Sequence, residues 1–485
     1  MAHMVFATAA ILVAVLSVTM LERQRMGVSS ETLTLAETPV TIWRSDNADG
    51  GPLVVVAHGY AGSRQMMQPI SIALARSGFV VAAFDFYGHG RNSEPMSANV
   101  TSLEGTTEQL VTQTIAVSRA AAGLPGVTGA VSLVGHSMAT DVVIRAAERL
   151  EGTAAVVAIS MYSDAVTPEA PERLLIVSGA REDRLRKVAL DRLRQLDPDA
   201  TEGETVALGP VARRAVSARW VGHVGVLYSP FTLTELRDWI AEASGHASHG
   251  SLPHIGPWLM ALLAALVALM WPLSTVLGPT VPGPARQDRR AWVILAAPIA
   301  PALLAVTIIP PGAGGLVAFG ALTAFFGTWG VIQIALWWRS GVRPQSIRSL
   351  AVVLLLFWGL CVFAPALDRY GAAFVPTGPR LWLMGGLMFG TIPFCLADAL
   401  QVARSGRIAA MVQRLLPPAI LLCAMLISPR LGIAFTVLPV MVLFWLVYGL
   451  ASRWVRARSD PWSTGLVMGV ILAWAVAAST PLVAS

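Results

Sequence analysis

At 485 residues, with 55 % hydrophobic and 13 % charged residues and a mean hydropathy of +0.62, the chain has room for two or three domains and is too apolar for an ordinary water-soluble protein. Its net charge of +6 is unevenly spread, with twenty basic and twenty-five acidic side chains in residues 22–245 but fifteen and four in the rest of the chain beyond 245. The surplus of arginine therefore belongs to the apolar half, as in membrane-flanking loops, and a nucleic-acid partner is excluded.

In chain order, residues 1–27 read as an N-terminal transmembrane anchor, because the apolar run 4–21 approaches the roughly 20 residues needed to cross about 30 Å of hydrocarbon. No Arg or Lys precedes that run and nothing like A-x-A follows it near Val18, Thr19 and Met20, which favours a retained anchor over a cleaved signal peptide.

Residues 28–245 have globular texture, with buried strands alternating with amphipathic helices. Strands are expected at LVVVAHG (53–59), FVVAAFD (79–85), AVSLVG (from 130), AAVVAIS (from 154), RLLIVSG (from 173) and near 213–221. Helices are expected between the first two strands and near 106–122, 138–150, 182–196 and 232–243. This alternation predicts an α/β fold, a mostly parallel sheet with helices on both faces, whose ligands gather at the carboxyl ends of the strands. The three cysteines, Cys361, Cys395 and Cys423, lie in apolar runs beyond it, so residues 28–245 contain neither a disulfide nor a thiol nucleophile.

Within this region GHSMA, 135–139, has the form of a nucleophile elbow, in which a strand turns abruptly into a helix with Ser137 at the apex. HGYAG at 58–62 and DFYGHGRNS at 85–93 precede it. Together the three motifs resemble, over about residues 33–243, the α/β-hydrolase superfamily of serine esterases and lipases. The resemblance implies Ser137 as nucleophile and an oxyanion hole built from the backbone N–H groups of Tyr60 and Met138, with His58 and Gly59 shaping the loop. It implies a base late in the domain, and His223 is the one histidine that follows the elbow inside it. The acid is expected in the loop after RLLIVSG, where Asp183 is preferred, with Glu182 and then Asp164 as alternatives. Asp85 reads as a turn anchor and Asp141 as a helix-starting carboxylate. His58, His89 and His136 read as structural hydrogen-bonding groups. Tyr60, Met66, Met67, Met138, Tyr162 and Tyr228 are candidates for an acyl or leaving-group pocket as well as for core. Only MYSDAVTPEAPE separates the strands from 154 and 173, too little for a lid.

Residues 246–255, with His246, His249 and His254, read as a linker, since no carboxylate or thiolate joins the histidines as in a metal site. Residues 256–485 form an all-α transmembrane domain of about eight helices, with spans at 256–278, 291–309, 313–338, 350–367, 381–400, 409–427, 433–452 and 461–479. Alternate loops carry Arg286, Arg289 and Arg290; Arg339, Arg343 and Arg348; Arg404 and Arg407; and Arg453, Arg456 and Arg458, eleven in all. The loops between hold Arg369, Arg380 and Arg430. The eleven mark the cytoplasmic side, which puts the N-terminus in the cytoplasm and residues 22–255 in the periplasm or outside the cell. Gln333, Gln413 and Arg414 are the polar intramembrane positions, read as interhelix hydrogen-bonding or snorkelling groups.

The expected function is a membrane-anchored extracytoplasmic serine hydrolase that cleaves carboxylic esters of small molecules or lipids and requires no cofactor or metal. The alternatives are a peptidase or an acyltransferase on the same residues, or a transporter or assembly factor whose hydrolase-like domain only binds.

Overall fold

The structure is a computed structural model that describes residues 1–99, 102–247, 249–281, 289–316 and 319–484. The chain divides into two compact units. A sheet unit comprises residues 17–260 together with 369–373, and a helical unit comprises 1–16, 261–368 and 374–485.

Helix α1 (Ala2–Arg23) leads into a hairpin of β1 (Val28–Leu35) and β2 (Thr38–Ser45). Then follow β3 (Gly51–Ala57), α2 (Gln68–Arg76), β4 (Val80–Phe84), α3 (Glu108–Ala122), β5 (Val127–His136), α4 (Met138–Ala147), β6 (Thr153–Ile159), β7 (Arg173–Gly179), α5 (Asp183–Leu193), β8 (Thr205–Leu208), β9 (Val211–Ala218) and α6 (Pro230–Ser244). They build one nine-stranded sheet of order β1-β2-β4-β3-β5-β6-β7-β9-β8. The six strands from β4 to β9 along that order run parallel, while β1, β2 and β8 are antiparallel additions at the edges.

The central parallel strands β3, β4, β6 and β7 are nearly continuous apolar runs because both faces are covered, as a doubly wound sheet requires. Val54, Leu133, Val156 and Leu175 are fully buried, each worth about 1.5–3 kcal/mol of burial. The expected strands and helices are present, and the edge strands β1, β2 and β8 are additional to them. β1 and β8 are largely exposed and β2 alternates buried with partly buried positions, so none of the three has the uninterrupted apolar run that marks the central strands.

Among the described residues nine helices are long and apolar enough to cross a membrane: Ala2–Arg23, Ile255–Leu277, Ala291–Ile308, Gly320–Arg339, Ser349–Tyr370, Pro379–Arg404, Arg407–Ile427, Arg430–Arg456 and Pro461–Ser479. Arg286, used above in the charge argument, lies outside the described residues. Inside the helical unit, Pro379–Arg404 packs closely on its neighbours through small residues: a Cβ on Gly469 would lie 2.4 Å from Ile392 Cα, and one on Gly330 would lie 2.2 Å from the Pro393 carbonyl carbon. Gln333 and Gln413 are buried and exchange side-chain amide bonds of 3.0 Å, and Arg414 reaches Asp398 at 3.2 Å.

Candidate active site

Strand β5 ends at His136, and the chain reverses through Ser137 into α4. Ser137 sits at φ 55°, ψ −119°, a left-handed conformation that costs a non-glycine residue about 1–3 kcal/mol and survives only where its surroundings enforce it. They do so here. Ser137 N–H donates to Ile159 O at 2.8 Å, and its carbonyl accepts from Thr140 N–H (2.9 Å) and Thr140 Oγ1 (2.7 Å). The turn is so tight that a Cβ on Gly135 would lie 2.6 Å from Ala139 O, which explains glycine at the first small position of the motif.

The loop after β9 brings His223 to this apex. Its Nε2 lies 2.9 Å from Ser137 Oγ and its Nδ1 lies 2.6 Å from Glu182 Oε1. A carboxylate only accepts, so Nδ1 carries the proton and Nε2 is free to accept the serine proton. Burial pushes the Glu182 carboxyl up, but hydrogen bonds from His223, Gly179 N–H and Ser160 Oγ outweigh it and hold the group below its ordinary value. Glu182 is therefore an anion at neutral pH. Its second oxygen accepts from Gly179 N–H at 2.6 Å and from Ser160 Oγ at 2.7 Å.

The structure thus brings Glu182, the alternative acid, to His223 in place of the preferred Asp183. Glu182 stands at the N-cap of α5 with a side chain only 7 % exposed, turned in toward the strand ends, whereas Asp183 begins the helix, is 91 % exposed and faces Arg186 at 3.5 Å. Asp164 is likewise exposed and pairs with Arg145 at 2.6 Å. Asp141 lies in the first turn of α4 and accepts from Arg145 Nε and Ser163 Oγ.

On the other side of Ser137, Gly62 N–H donates to Gly59 O at 2.9 Å, closing a turn with Tyr60 and Ala61 at its centre and Ala61 at φ 56°. A Cβ on Gly59 would lie 3.0 Å from Ser137 Cβ, so glycine there lets this turn approach the elbow. Met138 is the first residue of α4, where a helix N–H has no intrahelical acceptor and the helix dipole favours negative charge. His58 supports the turn from below: Nδ1 donates to Gly59 O (2.8 Å) and Nε2 accepts from Phe86 N–H (3.2 Å). Burial pushes its imidazole down, consistent with a neutral ring. Buried Asp85 accepts from Arg64 N–H (2.8 Å), Arg64 Nη1 (2.5 Å) and Arg91 N–H (3.0 Å), fixing the two motif loops together. His89 Nδ1 pairs with Tyr87 O, and His246 Nε2 with Ser77 O.

Two supporting residues were missed or undervalued. Ser160, buried just after β6 at φ 54°, donates to Glu182; its position at a strand's carboxyl end was the signal that could have found it. His136 binds beyond its own turn, its Nε2 donating to the backbone carbonyl of His223 at 2.8 Å. Burial pushes its imidazole down to about 4.

The mouth of the site is open, with the His223 side chain 47 % exposed and Val224, Tyr162 and Trp220 exposed. Of the other pocket candidates, Met67 is fully buried and Met138 packs against the hydrophobic core of the sheet. Burial pushes the Tyr60 and Tyr228 phenols up to about 12, so both are neutral.

Residues 51–220 match the family model described as serine aminopeptidase, S33. The sheet unit has the α/β-hydrolase fold. Similar solved structures include TT1662 from Thermus thermophilus (19 % identity, 45 % of this chain and 98 % of that one, TM-score 0.32). A dienelactone hydrolase from Anabaena variabilis (17 %, 46 % and 98 %, 0.33) and Est1E from Butyrivibrio proteoclasticus with ferulic acid bound (15 %, 44 % and 96 %, 0.32) are also similar. A search of curated proteins returned no match.

Proposed function

We propose that the protein is a membrane-anchored serine hydrolase that cleaves carboxylic esters through a Ser137–His223–Glu182 triad. The observation that carries this reading is the hydrogen-bonded chain from Ser137 Oγ through both nitrogens of His223 to Glu182. A serine hydroxyl is a weak nucleophile until a base takes its proton, and the base needs a partner that fixes its tautomer and stabilises the imidazolium. His223 Nε2 accepts the proton as Oγ attacks the acyl carbonyl, and the backbone N–H groups of Tyr60 and Met138 receive the oxyanion. The imidazolium returns the proton to the leaving alkoxide. Water then attacks the acyl-enzyme with the same assistance, releasing the acid and restoring the serine.

The apolar side chains at the mouth suit an apolar acyl or alcohol group, and the nine apolar helices suit a lipid-derived ester presented at a bilayer. The arginine-rich alternate loops support an orientation with the sheet unit outside the cytoplasm and the N-terminus inside. An alkaline-phosphatase fusion after residue 245 should be active, and an inactive one contradicts this orientation.

A second reading, an aminopeptidase on the same triad, is favoured by the description of the matching family model. Purified full-length protein offered p-nitrophenyl acyl esters of graded chain length and aminoacyl p-nitroanilides separates the two. The ester reading expects turnover of the esters with kcat/KM rising with acyl length; turnover of the anilides at comparable kcat/KM supports the peptidase instead.

A further inference from the structure

Three stretches of chain that adjoin apolar helices converge, within the sheet unit, on one short segment, residues 63–76. The end of α1 arrives first. Arg25 Nη1 donates to Gln68 Oε1 (2.8 Å), and Arg76 Nη2 donates to the carbonyls of Gln24 (2.9 Å) and Met26 (3.2 Å). The linker follows, with Ser251 O accepting from Arg76 Nη1 at 3.2 Å.

The third stretch, Arg369–Ala373, some 300 residues beyond Gln68, comprises the last two residues of the apolar helix Ser349–Tyr370 and the start of the connection to Pro379–Arg404. Gln68 Nε2 donates to Arg369 O at 2.8 Å, and Ala373 N–H donates to Ser63 Oγ at 2.9 Å. Ser63, Gln68 and Ala373 are all buried. Glu22 holds the same stretch in place, accepting from Arg369 Nε (2.7 Å) and Nη2 (2.9 Å) and from the Tyr370 hydroxyl.

Ser63 directly follows the Gly59–Gly62 turn that carries Tyr60. From one side that turn rests on His58 and on the Arg64–Asp85 pair; at Ser63 it is tied to a segment that the sheet unit's own continuous chain does not supply. We propose that Arg369–Ala373 is a clamp that positions the Tyr60 turn, with Ser63 and Gln68 as positioning residues, so that the oxyanion side of the site is completed by the end of an apolar helix and the residues that directly follow it. The clamp rests on the triad reading for its catalytic consequence, and its geometry stands independently of it. A buried N–H left without an acceptor is unfavourable, so removing Ser63 Oγ drives Ala373 and the turn apart toward water. Misplacement of a positioning loop by about 1 Å can cost up to a hundredfold in rate.

The test uses the full chain in lipid nanodiscs. Ser63→Ala and Glu22→Gln should each lower kcat on a short soluble ester by about tenfold with KM within about twofold, and speed amide hydrogen exchange across residues 59–63. Ser63→Thr, which keeps an oxygen acceptor, should restore both. If Ser63→Ala does not fold, Glu22→Gln and Ser63→Thr carry the comparison. A wild type that turns over ester, with kcat and exchange unchanged in the variants or only a lower melting temperature, overturns the clamp alone. A wild type that turns over neither ester nor anilide overturns the triad reading and, with it, any catalytic role for the clamp.

Discussion

In the sheet unit six described non-glycine residues hold positive φ: Ala36 and Glu37 in the β1–β2 hairpin turn, and Ala61, Ser137, Ser160 and Trp220, one in each of the loops after β3, β5, β6 and β9; in the helical unit every described residue with positive φ is a glycine. The polar groups differ in the same sense. Gln333 binds Gln413, Gln401 binds Trp337 and the Ala291 carbonyl, and Arg414 binds Asp398, so these polar side chains of the helical unit are paired with one another or with backbone. At the strand ends of the sheet unit, by contrast, a serine hydroxyl and an imidazole lie half-open to solvent above a buried carboxylate. Backbone strain collects where a structure over-determines a reactive geometry, and self-satisfied polar pairs are what a packed apolar bundle needs simply to assemble. The contrast supports the proposed reading, in which the chemistry belongs to the sheet unit.

The contrast breaks most sharply at the acid. Glu182→Gln should lower kcat for ester hydrolysis by about 10³- to 10⁴-fold, because an amide no longer stabilises the imidazolium or fixes the tautomer, while Asp183→Asn should change it less than about twofold. Steady-state kinetics on the two variants would reverse the assignment if Asp183→Asn were the damaging one.

A smaller effect concerns pH. His136 titrates at about 4 in the folded protein against an ordinary 6.5, so between those values the unfolded chain binds the extra proton. Its contribution to stability is therefore complete above pH 6.5 and is lost as pH falls toward 4, by about 3 kcal/mol. Glu182, also held below its ordinary value, acts in the same sense at the acid end, its stabilisation present above 4.5 and lost as pH falls through the lowered value. Thermal unfolding followed from pH 7 to 4 should show this slope, and His136→Gln, which keeps a donor for the His223 carbonyl, should flatten it. An equal slope in the variant would place the titration elsewhere.

The smallest effect belongs to the helical unit. Gln333→Leu strands the Gln413 amide and should destabilise the protein by about 1 kcal/mol while leaving kcat within about twofold. A large loss of activity at full folding would show that the helical unit takes part in the chemistry.

The central parallel strands were legible because burial on both faces leaves unbroken apolar runs, and the elbow because its tight turn demands small residues at fixed places. Ser137 and His223 followed from motif and chain order. The choice between Glu182 and Asp183 was not legible: adjacent carboxylates at a helix start differ in direction, and the N-cap geometry that turns Glu182 inward exists only once β7, β9 and α5 are packed. Ser160 depended on the same three-dimensional convergence. The β1–β2 hairpin and β8 lacked the apolar run that betrays a buried strand, and the contact of Arg369–Ala373 with Ser63 joins residues too far apart in sequence for any local pattern to reveal.

The central claim is that Ser137 is an activated nucleophile. Full-length protein treated with a fluorophosphonate probe, digested and mapped by mass spectrometry tests it most directly. The account predicts a single phosphonylated peptide modified at Ser137, with labelling abolished in Ser137→Ala and slowed in Glu182→Gln. Labelling that persists undiminished in Ser137→Ala, or a folded wild-type protein that does not label at all, would contradict it.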